Sequence, residues 1–266
     1  MERLGRGRTA EVYRTEDDKA LKLYHADVSE SFITYETQIA KAVTSVCSAA
    51  PKFYGKTTLE GRKGLLYQIV EGTTLTEMIH QESVDINGLA CRMAKAHQSI
   101  HATSTDDLPS MMDYFVPNLI RYGQLSDAGL QNLIAFIDRD KTEKICHGDL
   151  HPENVMEDNN GKLWIIDWTN AYSGNPISDL ARTLYLFLNG LPLNQTHIEP
   201  AERLMREQVV ESFIPFYGSD DPRKSNDWDV WRLIILINRC FENIDSERPE
   251  IDRMIAEILK SRPEFA

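Results

Sequence analysis

Residues 147–155 read HGDLHPENV, and this stretch brings a carboxylate, Asp149, an imidazole, His151, and an amide, Asn154, within a few positions of one another. A second carboxylate, Asp167, follows at the end of the apolar run Leu163–Ile166. An aspartate in such a loop can orient an attacking hydroxyl or accept its proton. An asparagine and a further aspartate supply the hard oxygen donors that Mg2+ prefers. An apolar strand that ends on a carboxylate holds it with the rigidity a metal site needs. Taken singly, HGD is a turn and an Asp after an apolar run is a strand terminus. Asp149, Asn154 and Asp167, in this order and spacing, point to metal-assisted transfer to a hydroxyl.

Two kinds of element must position these groups. Up to about residue 70 the chain reads as strands and turns: Glu11–Arg14, Ala20–Tyr24, Pro51–Lys56 and Gly64–Val70, with one helix over Phe32–Val46. Beyond Gly72 the pattern turns helical. Ile86, Leu89, Ala90, Met93, Ala94, His97 and Ile100 recur at three- and four-residue steps, as on one helix face. Leu130–Ile137 repeats this behind Ser126 as N-cap, and later helices are expected over 178–188, 201–213, 228–241 and 250–260. Strands at Lys144–His147 and Leu163–Asp167 are expected around an Asn159-Asn160-Gly161 turn. The fold class is therefore α+β, with residues 1–71 as a small strand-rich lobe and 72–266 as a larger, mostly helical one.

With these features in hand, the chain resembles the aminoglycoside phosphotransferase and choline-kinase-like branch of the protein-kinase-like fold. HGDLHPEN resembles that family's catalytic loop and Ile165-Ile166-Asp167-Trp168 its metal-binding strand. The resemblance implies a nucleotide-binding N-lobe with an antiparallel sheet, ATP and Mg2+ as cofactors, Asp149 as the catalytic residue, and Asn154 and Asp167 as metal ligands. LGRGRTAEVY, residues 4–13, resembles a shortened glycine-rich loop. Gly5 and Gly7 permit close backbone approach, so amides there can cradle phosphates, with the Thr9 hydroxyl as a further donor. Lys22 stands where that fold places its phosphate-holding lysine, and Glu36 is its expected partner, with Glu30 as competitor. GLLYQIVEG, residues 64–72, resembles the inter-lobe segment. It implies Tyr67 behind the adenine and backbone groups of Gln68 and Val70 at its edge. His151 stands where a phosphate-contacting lysine is found in protein kinases, and can donate there. His147 is expected to brace the loop. Asp179 either steadies the loop or caps a helix, and His97 and His101 read as packing residues. Trp228 and Trp231 read as packing too, or as the lining of a cation site.

The acceptor follows from what is missing and from charge. Eleven residues separate Asp167 from Asp179, too few for the peptide-docking segment of a protein kinase, so a small hydroxylated molecule is expected. An atypical protein kinase and an inert nucleotide-binding module are the alternatives. Residues 1–70 carry 11 Lys and Arg against 9 Asp and Glu, and the remainder 18 against 32, so the net charge of −12 comes from the C-terminal part. Such an acidic part argues against nucleic-acid binding. It suits a cationic acceptor, with Glu242, Asp245 and Glu247 as candidate anchors, or equally a solvated surface. Cys47, Cys91, Cys146 and Cys240 lie far apart without a CxxC pair, which fits a reducing, cytoplasmic setting rather than zinc or disulfides. No apolar run approaches the roughly 18 residues of a membrane span.

Overall fold

In a computed structural model, residues 1–79, 85–191, 195, 197–218, 220–242 and 244–266 are described. Strands β1 (Glu2–Arg6), β2 (Ala10–Arg14) and β3 (Lys19–Tyr24) precede helix α1 (Glu30–Val46), and β4 (Phe53–Leu59) and β5 (Arg62–Gln68) follow it. They form one antiparallel sheet in the order β1-β2-β3-β5-β4. Ser29 caps α1 by accepting from the Phe32 amide, a contact worth about 1 kcal/mol. The helix then turns Ile33, Glu36, Ile39, Ala40 and Val43 inward. Leu65 and Tyr24 on the sheet meet Ile33 in a small core, so the strand face that carries Lys22 also faces α1.

The larger, helical part begins with β6 (Gly72–Thr74) and α2 (Leu75–Ile79), then α3 (Ile86–His101), α4 (Met111–Tyr122) and α5 (Asp127–Arg139). Short strands β7 (Lys144–Cys146), β8 (Val155–Asp158), β9 (Leu163–Ile165) and β10 (Tyr172–Gly174) come next. Helices α6 (Pro176–Asn189), α7 (Pro200–Tyr217), α8 (Trp228–Arg239) and α9 (Arg248–Ser261) complete the chain. The α3 stripe is buried as its period requires, and Ser126 caps α5.

Two expectations need correction. The β9 strand pairs with Val155–Asp158, which reads as loop in the sequence, while Lys144–Cys146 pairs instead with Tyr172–Gly174. The helix α4 was not expected, because Pro117 interrupts its apolar pattern. It is started by a capping box in which Ser110 and Asp113 satisfy each other's amides. The dominant core joins helices α1 to α9 and the short strands β7 to β10. The loops between β7 and β8, and after β9, are therefore mounted on rigid material.

Candidate active site

The loop 147–154 leaves β7 at His147 and is gripped from behind. Asp179, fully buried on α6, accepts from the amides of His147 (2.9 Å) and Gly148 (2.8 Å) and from His101 Nε2 (3.1 Å). Asn175, not Asp179, caps α6, so the carboxylate serves the loop. Gly148 has φ of +73°, and a Cβ there would lie 2.2 Å from the Asn170 carbonyl, so both backbone and space demand glycine. His147 Nε2 reaches the Ile166 carbonyl at 3.0 Å, while Nδ1 takes the Asp149 amide at 3.3 Å. Burial disfavours its imidazolium form, and that pattern suits the neutral ring, donating at one nitrogen and accepting at the other.

His97 and His101 are buried, as packing residues should be, yet both are hydrogen-bonded. His97 Nε2 meets Thr183 Oγ1 at 2.9 Å, and Thr183 donates on to the Leu150 carbonyl at 2.8 Å. Tyr217 holds the other nitrogen of His101 at 2.9 Å. Trp228 and Trp231 are buried in the core.

Asn154 is fixed on every side but one. Its amide nitrogen donates to the Asp149 carbonyl (2.9 Å) and to His151 Nε2 (3.2 Å). Its Oδ1 is left without a partner among the described residues. Asp167 follows β9 in the left-handed region (φ 58°, ψ 62°), which aspartate tolerates better than most side chains. Its Oδ1 accepts from Lys22 Nζ at 2.9 Å and from Thr169 at 3.0 Å, leaving Oδ2. Lys22 beside it holds the carboxyl below its ordinary range. Two hard oxygens, Asn154 Oδ1 and Asp167 Oδ2, thus remain as donors of the type Mg2+ takes.

Lys22 on β3 joins the two lobes. Its ammonium bonds Glu36 Oε1 at 2.7 Å as well as Asp167. Glu30 lies exposed at the start of α1, and Glu36 meets the lysine. Burial opposes the charge on Lys22, but Asp167 and Glu36 outweigh it and raise its pKa. Gly5 lies at the end of β1, and Gly7 and Thr9 in the turn to β2. Nothing within 4 Å would meet a Cβ at Gly5, so the sheet is open above it. The turn is tied down by the His25 amide, which donates to the Thr9 carbonyl at 2.9 Å.

Tyr67 packs on Phe53 with ring centroids 5.4 Å apart. The Gln68 amide already donates to the Lys52 carbonyl at 2.8 Å and is not free for a ligand edge. Val70 lies in the connection between β5 and β6, where among the described residues its backbone has no backbone partner.

His151 takes the Asn154 side-chain amide on Nε2, which leaves Nδ1 as the nitrogen able to carry its proton. Nε2 stands 3.7 Å from Asp149 Oδ2, beyond hydrogen-bond range. Asp149 itself is held by a residue that the motif reading missed. Arg182 Nη2 donates to Asp149 Oδ1 at 2.8 Å and to Glu242 Oε2 at 3.0 Å. Burial works against the Asp149 carboxylate, but the Arg182 guanidinium beside it counters this, and the carboxyl is held well below its usual range. The signal was available: Arg182 follows Asp179 by three positions and so shares its helix face.

The same network overturns Glu242 and Glu247 as free anchors for a cation. Glu242 is engaged by Arg182 and Arg239. Glu247, buried, takes both ends of Arg239 at 2.8 Å and the Tyr185 hydroxyl at 3.0 Å. Asp245 is exposed.

Solved structures share this arrangement of sheet and helices. The chain is similar to aminoglycoside phosphotransferase APH(4)-Ia, at 15% identity over 97% of this chain and 92% of that one, with a TM-score of 0.63. It is similar to choline kinase LicA from Streptococcus pneumoniae at 17% identity, over 98% and 95%, with a TM-score of 0.55. Amicoumacin kinase hAmiN, in complex with AMP-PNP, Ca2+ and Ami, aligns at 14% identity over 97% and 88%, with a TM-score of 0.56. These likenesses establish the two-lobed, protein-kinase-like fold. No curated protein matches the sequence. Residues 1–207, which include Lys22, the 147–154 loop, Asp167 and Arg182, match the phosphotransferase enzyme family, and the chain belongs to that family.

Proposed function

We propose that the protein moves the γ-phosphate of ATP, in the presence of Mg2+, to a hydroxyl of a small molecule. The observation that carries this is the direct Lys22 to Asp167 contact, which brings the sheet's lysine onto the carboxylate that follows β9, beside the loop holding Asp149 and Asn154. In this reading residues 1–71 hold the nucleotide. Lys22, braced by Glu36, holds its phosphates, the Gly5–Thr9 turn covers them, and Gln68 and Val70 line the adenine edge. Bound Mg2+ would neutralise charge on the phosphates, with Asn154 and Asp167 as its protein ligands. Asp149 Oδ2 faces the acceptor and accepts the hydroxyl's hydrogen bond. As the hydroxyl oxygen bonds to the γ-phosphorus, the bond to the bridging oxygen breaks, ADP leaves with that oxygen, and the proton passes to Asp149. Most of the rate then comes from positioning and charge neutralisation.

A peptide acceptor is not favoured. The eleven residues between Asp167 and Asp179 are used by a helical turn at Trp168–Asn170, by β10 and by the start of α6. A cationic hydroxyl compound, aminoglycoside- or choline-like, suits the acidic surface of residues 71–266, which carry 18 Lys and Arg against 32 Asp and Glu.

The test is ADP formation from MgATP across aminoglycosides, choline, ethanolamine, homoserine and sugars, with wild type and Asp149→Ala compared. At least one acceptor should stimulate ADP release. The variant should lose about 100-fold or more of it while still being stabilised by nucleotide. A well-folded Asp149→Ala that turns over like wild type overturns the assignment. Labelling of the chain itself, without any acceptor effect, would favour a protein kinase.

A further inference from the structure

We propose that Arg182 is a positioning residue of the phosphoryl transfer: clamped by Glu242, it fixes the Asp149 carboxylate through Oδ1 and leaves Oδ2 turned to the acceptor. This rests on the phosphotransferase reading above and adds to it a residue outside the catalytic loop.

The argument begins with burial. Arg182 is 5% exposed, and its Nε has no partner among the described residues. The guanidinium is therefore located by two carboxylates alone, Asp149 on one side and Glu242 on the other. Glu242 cannot move freely, because Arg239 also holds it, and Arg239 is in turn locked to the buried Glu247. A planar guanidinium fixes both the distance and the plane of a carboxylate, which an ammonium does not.

A carboxylate that must hold a hydroxyl in line with a phosphorus gains from such fixing, since a displacement of about 1 Å can cost about 100-fold in rate. Solvated at 24% exposure and with a free torsion, Asp149 would otherwise spread over several orientations. The remaining loop contacts do not supply the restraint. Asp179 grips the amides of His147 and Gly148, and Thr183 the Leu150 carbonyl, but both hold backbone. Arg182 alone among these α6 residues holds the reacting side chain.

The experiment is a double-variant cycle read by steady-state ADP release from MgATP, with water as acceptor and with the panel compounds above. Wild type, Arg182→Met, Arg182→Lys, Asp149→Asn and Asp149→Asn/Arg182→Met are compared. Arg182→Met should lower kcat about 10- to 100-fold with KM for ATP within about twofold. Arg182→Lys, which keeps the charge without the fork, should recover only part of the loss. In the Asp149→Asn background the further Arg182→Met change should have no effect on kcat, because a residue acting through Asp149 has nothing left to position. Wild-type kcat in folded Arg182→Met overturns the proposal. So does a double variant that multiplies the two single losses, which is what a purely structural role would give. Should Arg182→Met fail to fold, Arg182→Lys takes its place in the same cycle, with the same two overturning results. Undiminished kcat in Asp149→Asn, or a wild type that forms no ADP, instead removes the parent reading, and the Arg182 role with it.

Discussion

Replacing Asp179 by Asn tests how the 147–154 loop is held. The carboxylate accepts two backbone amides, at 2.9 and 2.8 Å, and one imidazole at 3.1 Å, in a fully buried site. A hydrogen bond to a charged acceptor contributes about 1.5–3 kcal/mol, and a buried donor left unpaired costs about 1–3 kcal/mol. An asparagine is nearly isosteric, but it can accept on one atom only. Whichever way its amide is turned, an NH2 faces either the His147 or the Gly148 amide. The charge that strengthened the remaining bonds is also gone. Relief of the buried charge offsets some of this, leaving a net loss of about 3–5 kcal/mol, against a total of about 5–15 kcal/mol for a typical domain. Urea unfolding at pH 7 should show it as a lower midpoint with an unchanged slope. The pH dependence gives a second check. Burial disfavours the Asp179 carboxylate, but the hydrogen bond from His101 outweighs it and holds its pKa below the ordinary range. Its contribution is therefore complete above the unfolded value, about pH 4, and is lost as pH falls from there toward the folded value. The gap between wild type and Asp179→Asn should be constant from pH 8 to 5 and narrow below about 4. A loss under about 1 kcal/mol at pH 7 would refute the three-donor account.

The other predictions concern backbone and histidines. Gly148→Ala places a Cβ against the Asn170 carbonyl in a left-handed backbone, so a loss on the order of 2 kcal/mol or more is expected, together with loss of turnover. A urea midpoint equal to wild type would show that the loop relaxes freely. Burial pushes His97 down to about 3, against its ordinary value of 6.5, so the folded state refuses a proton that the unfolded chain takes. Stability should fall by up to about 1.4 kcal/mol per pH unit from pH 6.5 toward 3 on this account. His147, also lowered by burial, adds to the fall with the same sign. His97→Gln, whose amide can still reach Thr183, should show a shallower fall in urea midpoint between pH 7 and 5. Identical slopes would remove His97 as a cause.

The candidate loop was legible because its residues are local: Asp149 and Asn154 lie within one turn-forming stretch, and Asp167 ends an apolar run. Glu36 was legible for a different reason. It falls on the inward face of α1, where a charge has no reason to be unless something meets it. What escaped was non-local. Arg182 and Glu242 are sixty residues apart, and nothing in either stretch says that they pair. For the same reason Glu242 and Glu247 read as free anchors when both belong to arginines. The strand Val155–Asp158 escaped because it begins directly after the loop, with no turn to announce it. The helix α4 escaped because Pro117 hid the period, although Ser110 and Asp113 had the spacing of a capping box.

On the proposed reading this acidic protein binds a triphosphate and must keep its own carboxylates from repelling it, and the network behind the loop offers a means. From Asp149 the charges alternate through Arg182, Glu242, Arg239 and Glu247, each in contact with the next. Opposite charges in contact leave mainly a dipolar field, which falls off with distance faster than that of a lone charge. Across the cleft Lys22 is shared between Glu36 and Asp167 in the same way. Asp149 and Asp167, which the proposed reading gives to the acceptor and to the metal, are thus each backed by a cation. The net charge of −12 is consequently a property of the surface and a poor guide to the field at the reacting centre. It follows that substitutions at exposed acidic residues such as Asp245 should alter how strongly salt affects encounter with a charged acceptor, whereas Arg182 and Glu242 act on the geometry that the bound acceptor meets.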